Sequence, residues 1–124
     1  MEYKNLTEKI IGCAYNVYNK MGFGFIESVY EKCMAIELKK AGLQANFQFP
    51  ILVHYDGQLV GEFFADIFVE GKIIVELKLV RQLAKAHEVQ LVNYLVATNN
   101  DVGLLINFGE QKVEVKRKVR VLPV

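Results

Sequence analysis

At 124 residues the chain has the length of one domain, 1–124, able to bury a core without disulfide or metal staples. Hydrophobic residues make up 52% of it, which points to a well-filled interior and a surface for self-association. The formal net charge of +1 excludes a polyanion binder acting through bulk charge, so any nucleic-acid affinity has to come from local patches.

No apolar run reaches membrane-spanning length, and a helical pattern opens almost directly after Met1, so the expectation is a cytoplasmic protein with no membrane partner. Leu6, Ile10, Cys13, Ala14, Val17 and Met21 repeat at helical spacing and predict an amphipathic helix over 6–21, ended by Gly22. A glycine turn, Gly22-Phe23-Gly24, leads to a second helix from Glu27 to about Ala41, with Gly42 as its stop. Cys13 and Cys33 sit within these helices, form no CxxC pair, and read as buried reduced thiols.

The period then changes from helix to strand. Phe47–Tyr55 and Leu59–Val69 read as two strands joined by an Asp56-Gly57 hairpin turn, and Lys72–Val80 as a third. A helix over Ala84–Thr98 closes at Asn99-Asn100-Asp101. The apolar run Val102–Asn107 follows as a strand covered on both faces, reached from strand three by a parallel crossover. Lys112–Val121 is the last strand. No repeat or linker appears, and the order predicts an α/β fold with a mixed sheet.

Chemistry concentrates where Ile73-Ile74-Val75 runs into Glu76-Leu77-Lys78. Glu76 and Lys78, at i and i+2, share one face of a strand. A three-residue connection at Glu70-Gly71-Lys72 sets Asp66 opposite Glu76 on that face. Charges in an apolar run are costly unless they are paired or bind a metal. Two carboxylates suit Mg²⁺, and Lys78 could hold or help deprotonate an attacking water and balance a phosphate's charge. The commoner meaning of such a pattern is an ion-pair cluster on a solvated face; what distinguishes this one is its interruption of runs that otherwise read as core.

Glu27 opens the second helix, where an acid usually just complements the helix dipole; Tyr30 and Glu31 follow on a neighbouring face. His87, Gln90 and Tyr94 share a stripe on the third helix, which leans over the strand end. There Gln90 could orient a water or phosphate with Tyr94 in support, while His87 reads as structural. Lys112, Lys116, Lys118 and Arg120 form a basic ladder on the last strand, opposite Val113, Val115, Val119 and Val121. The ladder could grip a phosphate backbone but is more often a solvated outer face that discourages edge pairing.

These residues, in this order, resemble a known family. Gly24-Phe25-Ile26-Glu27-Ser28-Val29-Tyr30 fits the GxxExxY signature of a group of small prokaryotic proteins assigned to the PD-(D/E)XK nuclease superfamily. The resemblance continues through Phe64-Ala65-Asp66, Ile74-Val75-Glu76-Leu77-Lys78, the stretch from His87 to Leu95, and Gly103 to Gly109, nearly the entire chain. It implies a restriction-endonuclease-like core, a mixed sheet of about five strands flanked by helices. By likeness, Asp66, Glu76 and Glu27 would be ligands of Mg²⁺ or Mn²⁺, with the main-chain carbonyl of Leu77 as a further one. Lys78 would be the catalytic lysine, and Gln90 and Tyr94 would match a QxxxY motif. The superfamily's Pro-Asp is absent, since Ala65 precedes Asp66. The expected function is a metal-dependent nuclease acting on DNA. The competing readings are a non-catalytic nucleic-acid-binding or protein-interaction module and a structural homo-oligomer. A homodimer and an unidentified protein partner complete the expected associations.

Overall fold

Among the described residues three helices and five strands follow one another as α1 (Lys4–Met21), α2 (Glu27–Lys40), β1 (Ala45–Tyr55), β2 (Gln58–Val69), β3 (Ile73–Lys78), α3 (Lys85–Thr98), β4 (Val102–Phe108) and β5 (Val113–Val119). The structure is a computed structural model and describes residues 3–120. The elements are those the periodicity predicts. β1 begins two residues before the expected Phe47, and β3 stops at Lys78 rather than Val80. Val121, the expected end of the last strand, lies outside the described residues. Among the described residues no helix is long and apolar enough to cross a membrane.

The strands lie in the order β1-β2-β3-β4-β5. Only β3 and β4 run parallel, as the helical crossover through α3 requires, and the other neighbours are antiparallel. Asp56 and Gly57, at φ 50° and 75°, form the two-residue hairpin turn that Asp-Gly favours. Glu70 and Gly71, also at positive φ, turn β2 into β3 so that Val69 pairs with Ile73.

Two apolar layers hold the sheet. On one face, Ile10, Ala14 and Val17 of α1 and Tyr30, Met34 and Leu38 of α2 pack on Val75, Leu77, Leu104, Ile106 and Phe108. On the other, Leu91, Tyr94 and Leu95 of α3 pack on Ile51, Ala65, Ile74 and Leu105. Each large side chain buried this way stabilises the fold by about 1.5–3 kcal/mol. β4 is buried along its whole length, as expected for a strand covered on both sides. α3 approaches especially closely at Gly103, where an added Cβ would lie 2.8 Å from Leu91 Cδ1 and 3.2 Å from the Ile74 carbonyl.

One irregularity organises the rest. Phe47 and Ile67 pack in the α1/α2 layer, whereas Phe49 and Ala65, two residues along each strand, pack in the α3 layer. Regular alternation would keep i and i+2 on one face. The exchange falls at Gln48, which has a left-handed φ of 52°, and at Asp66 across from it in the register. The outer half of the β1–β2 hairpin therefore swings over to the α3 side. A non-glycine residue held in that conformation costs about 1–3 kcal/mol and is found disproportionately at functional sites.

Candidate active site

Residues 24–30 bring a glycine, an acid and a tyrosine together around one turn. Gly24 adopts φ 116°, a conformation closed to most side chains. The turn delivers Glu27 as the first residue of α2. Tyr30 is fully buried, its hydroxyl donates to the Gly22 carbonyl, and its ring lies 4.6 Å from that of Phe108. Tyr30 thus anchors the turn that presents Glu27.

Asp66 and Glu76 meet across β2 and β3. The Ile67–Val75 pair places them opposite one another, as expected, and the regular ladder ends at that pair. Beyond it the side chains take over. The Asp66 N–H donates to Glu76 Oε2 at 2.9 Å, and the Leu77 N–H donates to Asp66 Oδ2 at 2.7 Å. Glu76 is 5% exposed, while Asp66 and Lys78 are half-buried.

The electrostatics draw in residues from two more elements, α2 and α3. Burial, and then the neighbouring Asp66 charge, push the Glu76 carboxyl up from 4.5 to about 8; Lys78 and the Asp66 N–H act in the opposite sense. Glu27 is also raised, first by desolvation and then by the charge of Asp66 and a hydrogen bond to it, with Lys78 opposing. Tyr94 is raised by burial and by the charges of Glu76 and Asp66, which brings α3 to the same place. Glu27, Glu31 and Glu76 therefore all feel the charge of Asp66, and the Lys78 ammonium offsets it at Glu27 and Glu76.

Glu31 and Gln48 are members that reading the sequence missed. Gln48 Nε2 donates to Glu31 Oε2 at 3.0 Å, and burial with the Asp66 charge raises Glu31. Glu31 was findable as the residue one helical turn after Glu27. Nothing in the sequence marks Gln48 as left-handed.

Other expected residues are placed differently. Gln90 stands exposed on α3, one turn before Tyr94. His87 serves the helix end: the Ala84 N–H donates to His87 Nδ1 at 3.0 Å, the structural part expected of it. Part of the basic ladder is paired within the chain. Lys118 pairs with Glu88 of α3 at 3.0 Å, and Arg120 pairs with Asp101 at 2.8 Å and with Asn99. These two cations are half-buried and paired with α3 and with the turn that follows it, rather than standing free on a solvated outer face. Lys116 is exposed.

The donor set, carboxylate and carbonyl oxygens with surplus negative charge, suits a hard divalent cation such as Mg²⁺ or Mn²⁺. The acids repel one another and Lys78 offsets only part of their charge, which a divalent cation would complete. Among the described residues, though, no three His, Cys, Asp or Glu side chains converge at metal-binding distance, because Asp66 and Glu76 are turned onto backbone N–H groups.

Comparison with known proteins agrees with this geometry. The family model described as the PD-(D/E)XK nuclease superfamily matches residues 4–118. No curated protein matches the chain. Among solved structures, one titled "Crystal structure of SSO0001" is similar, with a TM-score of 0.62 and 18% identity. The similarity covers 98% of this chain and 59% of that one, and at this identity it shows the fold alone.

Proposed function

The chain belongs to the PD-(D/E)XK nuclease superfamily, and on that premise we propose that it is a Mg²⁺- or Mn²⁺-dependent nuclease hydrolysing phosphodiester bonds in DNA. The observation that carries the reading is the interlock of Asp66 and Glu76, an acid pair in a buried sheet with Lys78 and Glu27 beside it. The GxxExxY signature over Gly24–Tyr30 supports assignment to that family within the superfamily.

Asp66, Glu76 and Glu27 would hold the cation, with the Leu77 carbonyl as a fourth oxygen. Bound there, the cation supplies charge to stabilise the phosphorane-like transition state and lowers the pKa of water. The chain's own groups do the rest. Lys78 balances the phosphate's charge and holds the nucleophilic water by hydrogen bonding. Tyr94, buried against the acids, excludes solvent from one side, and Gln90, a turn away on the same helix, orients the water or a phosphate oxygen.

The test is cleavage of labelled single-stranded, duplex and branched DNA and RNA by wild type and Lys78→Ala, with Mn²⁺, Mg²⁺ or EDTA. Metal-dependent cutting lost in the variant is expected. Cutting that persists in Lys78→Ala points to a contaminant. One observation favours a second reading, a binding module that retains the fold: the carboxylates are bonded to N–H groups rather than gathered around a common point. Nucleic-acid binding that ignores metal and survives Glu76→Ala would decide for it.

A further inference from the structure

Between α3 and the outer half of the β1–β2 hairpin lies an open cleft of about 1030 Å³. It exists because the strands change faces at Gln48 and Asp66, which carries Val53 and Phe63 over to the α3 side. Phe63 and Val89, 45% and 49% exposed, form its two apolar walls. The Phe63 ring sits 5.8 Å from that of Tyr94, tilted by 38°. Gln90, Asn93, His54 and Lys85 add hydrogen-bonding groups and one cation, and among the described residues no acidic one lines the cleft.

We propose that this cleft receives the unstacked bases of a single nucleic-acid strand, beside a phosphate lying at the Asp66–Glu76 cluster. The placement of that phosphate rests on the nuclease reading above. Continuity is the first argument, because Tyr94 and Gln90 line the cleft and Tyr94 also faces the acids. A strand whose phosphate reached Lys78 would lead directly into it.

Chemistry is the second argument. Exposed ring and aliphatic faces offer stacking to bases, whose own faces are available only when the strand is unpaired. A duplex keeps those faces inside. Size and charge agree. Pockets for drug-sized ligands span roughly 300–1,000 Å³, so this cleft has room for more than one base. Its lining carries positive charge and none of the negative charge concentrated a few residues away, which suits a polyanion.

A second copy of the chain is the rival occupant. Tyr55, Leu59 and Val60, 71%, 56% and 62% exposed near the hairpin turn, extend the apolar surface beyond the cleft lining. The polar groups of the lining, His54, Lys85, Gln90 and Asn93, are what a base edge would use and what a purely apolar contact would leave unpaired.

The test measures equilibrium binding of the full chain in EDTA, where no cleavage occurs. The probes are labelled oligodeoxythymidylate, a blunt duplex of equal length, and the same single strand with abasic sites. The inference expects the intact strand to bind at least tenfold tighter than the other two. Phe63→Leu, which keeps apolar bulk and removes the ring, should weaken it by about 5- to 150-fold, the span of about 1–3 kcal/mol per stacked base. Phe63→Trp should restore it. Equal binding of the abasic strand, unchanged binding by a natively melting Phe63→Leu, or no binding at all would overturn the inference. So would a sedimenting dimer that Phe63→Leu dissociates without any effect on DNA, which assigns the cleft to a second copy. Base-dependent binding without cleavage in Mn²⁺ would sink the nuclease reading and leave this one standing. Cleavage that Phe63→Leu leaves unchanged would do the reverse.

Discussion

Asn107 pairs with Val80 as one strand pairs with another, but through its side chain: Oδ1 accepts the Val80 N–H at 2.9 Å, and Nδ2 donates to the Val80 carbonyl at 2.8 Å. In the parallel register Asn107 lies beside Lys78, so this clamp fixes the chain two residues beyond the lysine, where β3 has ended. Asn107 is fully buried and also donates to Glu114 Oε1 at 2.9 Å. Asn107→Leu leaves the Val80 groups unpaired, at about 1–3 kcal/mol for each buried polar group. The expected result is a lowered denaturant midpoint together with weaker cleavage; an unchanged midpoint would show that Val80 finds other partners.

The raised Glu76 carboxyl fixes the sign of a pH dependence. Folded, it titrates near 8; unfolded, near its ordinary 4.5. Between those values the folded chain holds more protons, so its contribution to stability is full below pH 4.5 and is lost as pH rises through 8. Without metal, the melting temperature should fall from pH 5 to pH 9. Mn²⁺ should restore it most at the alkaline end, because the cation displaces the proton. Glu76→Gln should flatten both effects. A melting temperature that climbs over this range would contradict the account.

Gly103 lets α3 close on the sheet. An alanine there would place Cβ against Leu91 Cδ1 and the Ile74 carbonyl, and the backbone oxygen cannot give way as a side-chain tip can. Overpacking of this kind costs about 1–3 kcal/mol. Gly103→Ala should lower stability, and shortening the neighbour in Gly103→Ala/Leu91→Ala should relieve part of the clash, a coupling that a double-mutant cycle measures.

Gln48 offers a separable test of the face exchange. Gln48→Gly removes the left-handed penalty and the exposed bond to Glu31, so the net change in stability should be within about 1 kcal/mol of zero. Gln48→Val, β-branched at positive φ, should cost more than 1 kcal/mol. Similar unfolding curves for the two variants would mean that backbone conformation at this position matters little.

Where a single physical cause governs a segment, the sequence revealed it. Helical spacing located α1, Asp56-Gly57 located the hairpin, and the connection at residues 70–72 put Asp66 across from Glu76. What stayed hidden depends on contacts distant in the chain. Lys118 and Arg120 look free on their strand because Glu88 and Asp101 approach only once α3 is packed. The cleft was invisible for the same reason, since strict alternation keeps Phe47 and Phe49 on one face and only the turn at Gln48 separates them.

That pivot divides the molecule by mechanical duty. Inward of it, β2 and β3 are tied through Asp66, Glu76 and Leu77, and β3 is buried between helices, so the carboxylates sit in a packed, cross-linked part of the sheet. Outward of it, no third strand among the described residues pairs with the hairpin, which can bend as a two-stranded ribbon. Flexing there changes the width of the cleft without moving β3. The fold can thereby conform to an irregular chain on one side of Asp66 while holding reacting groups still on the other.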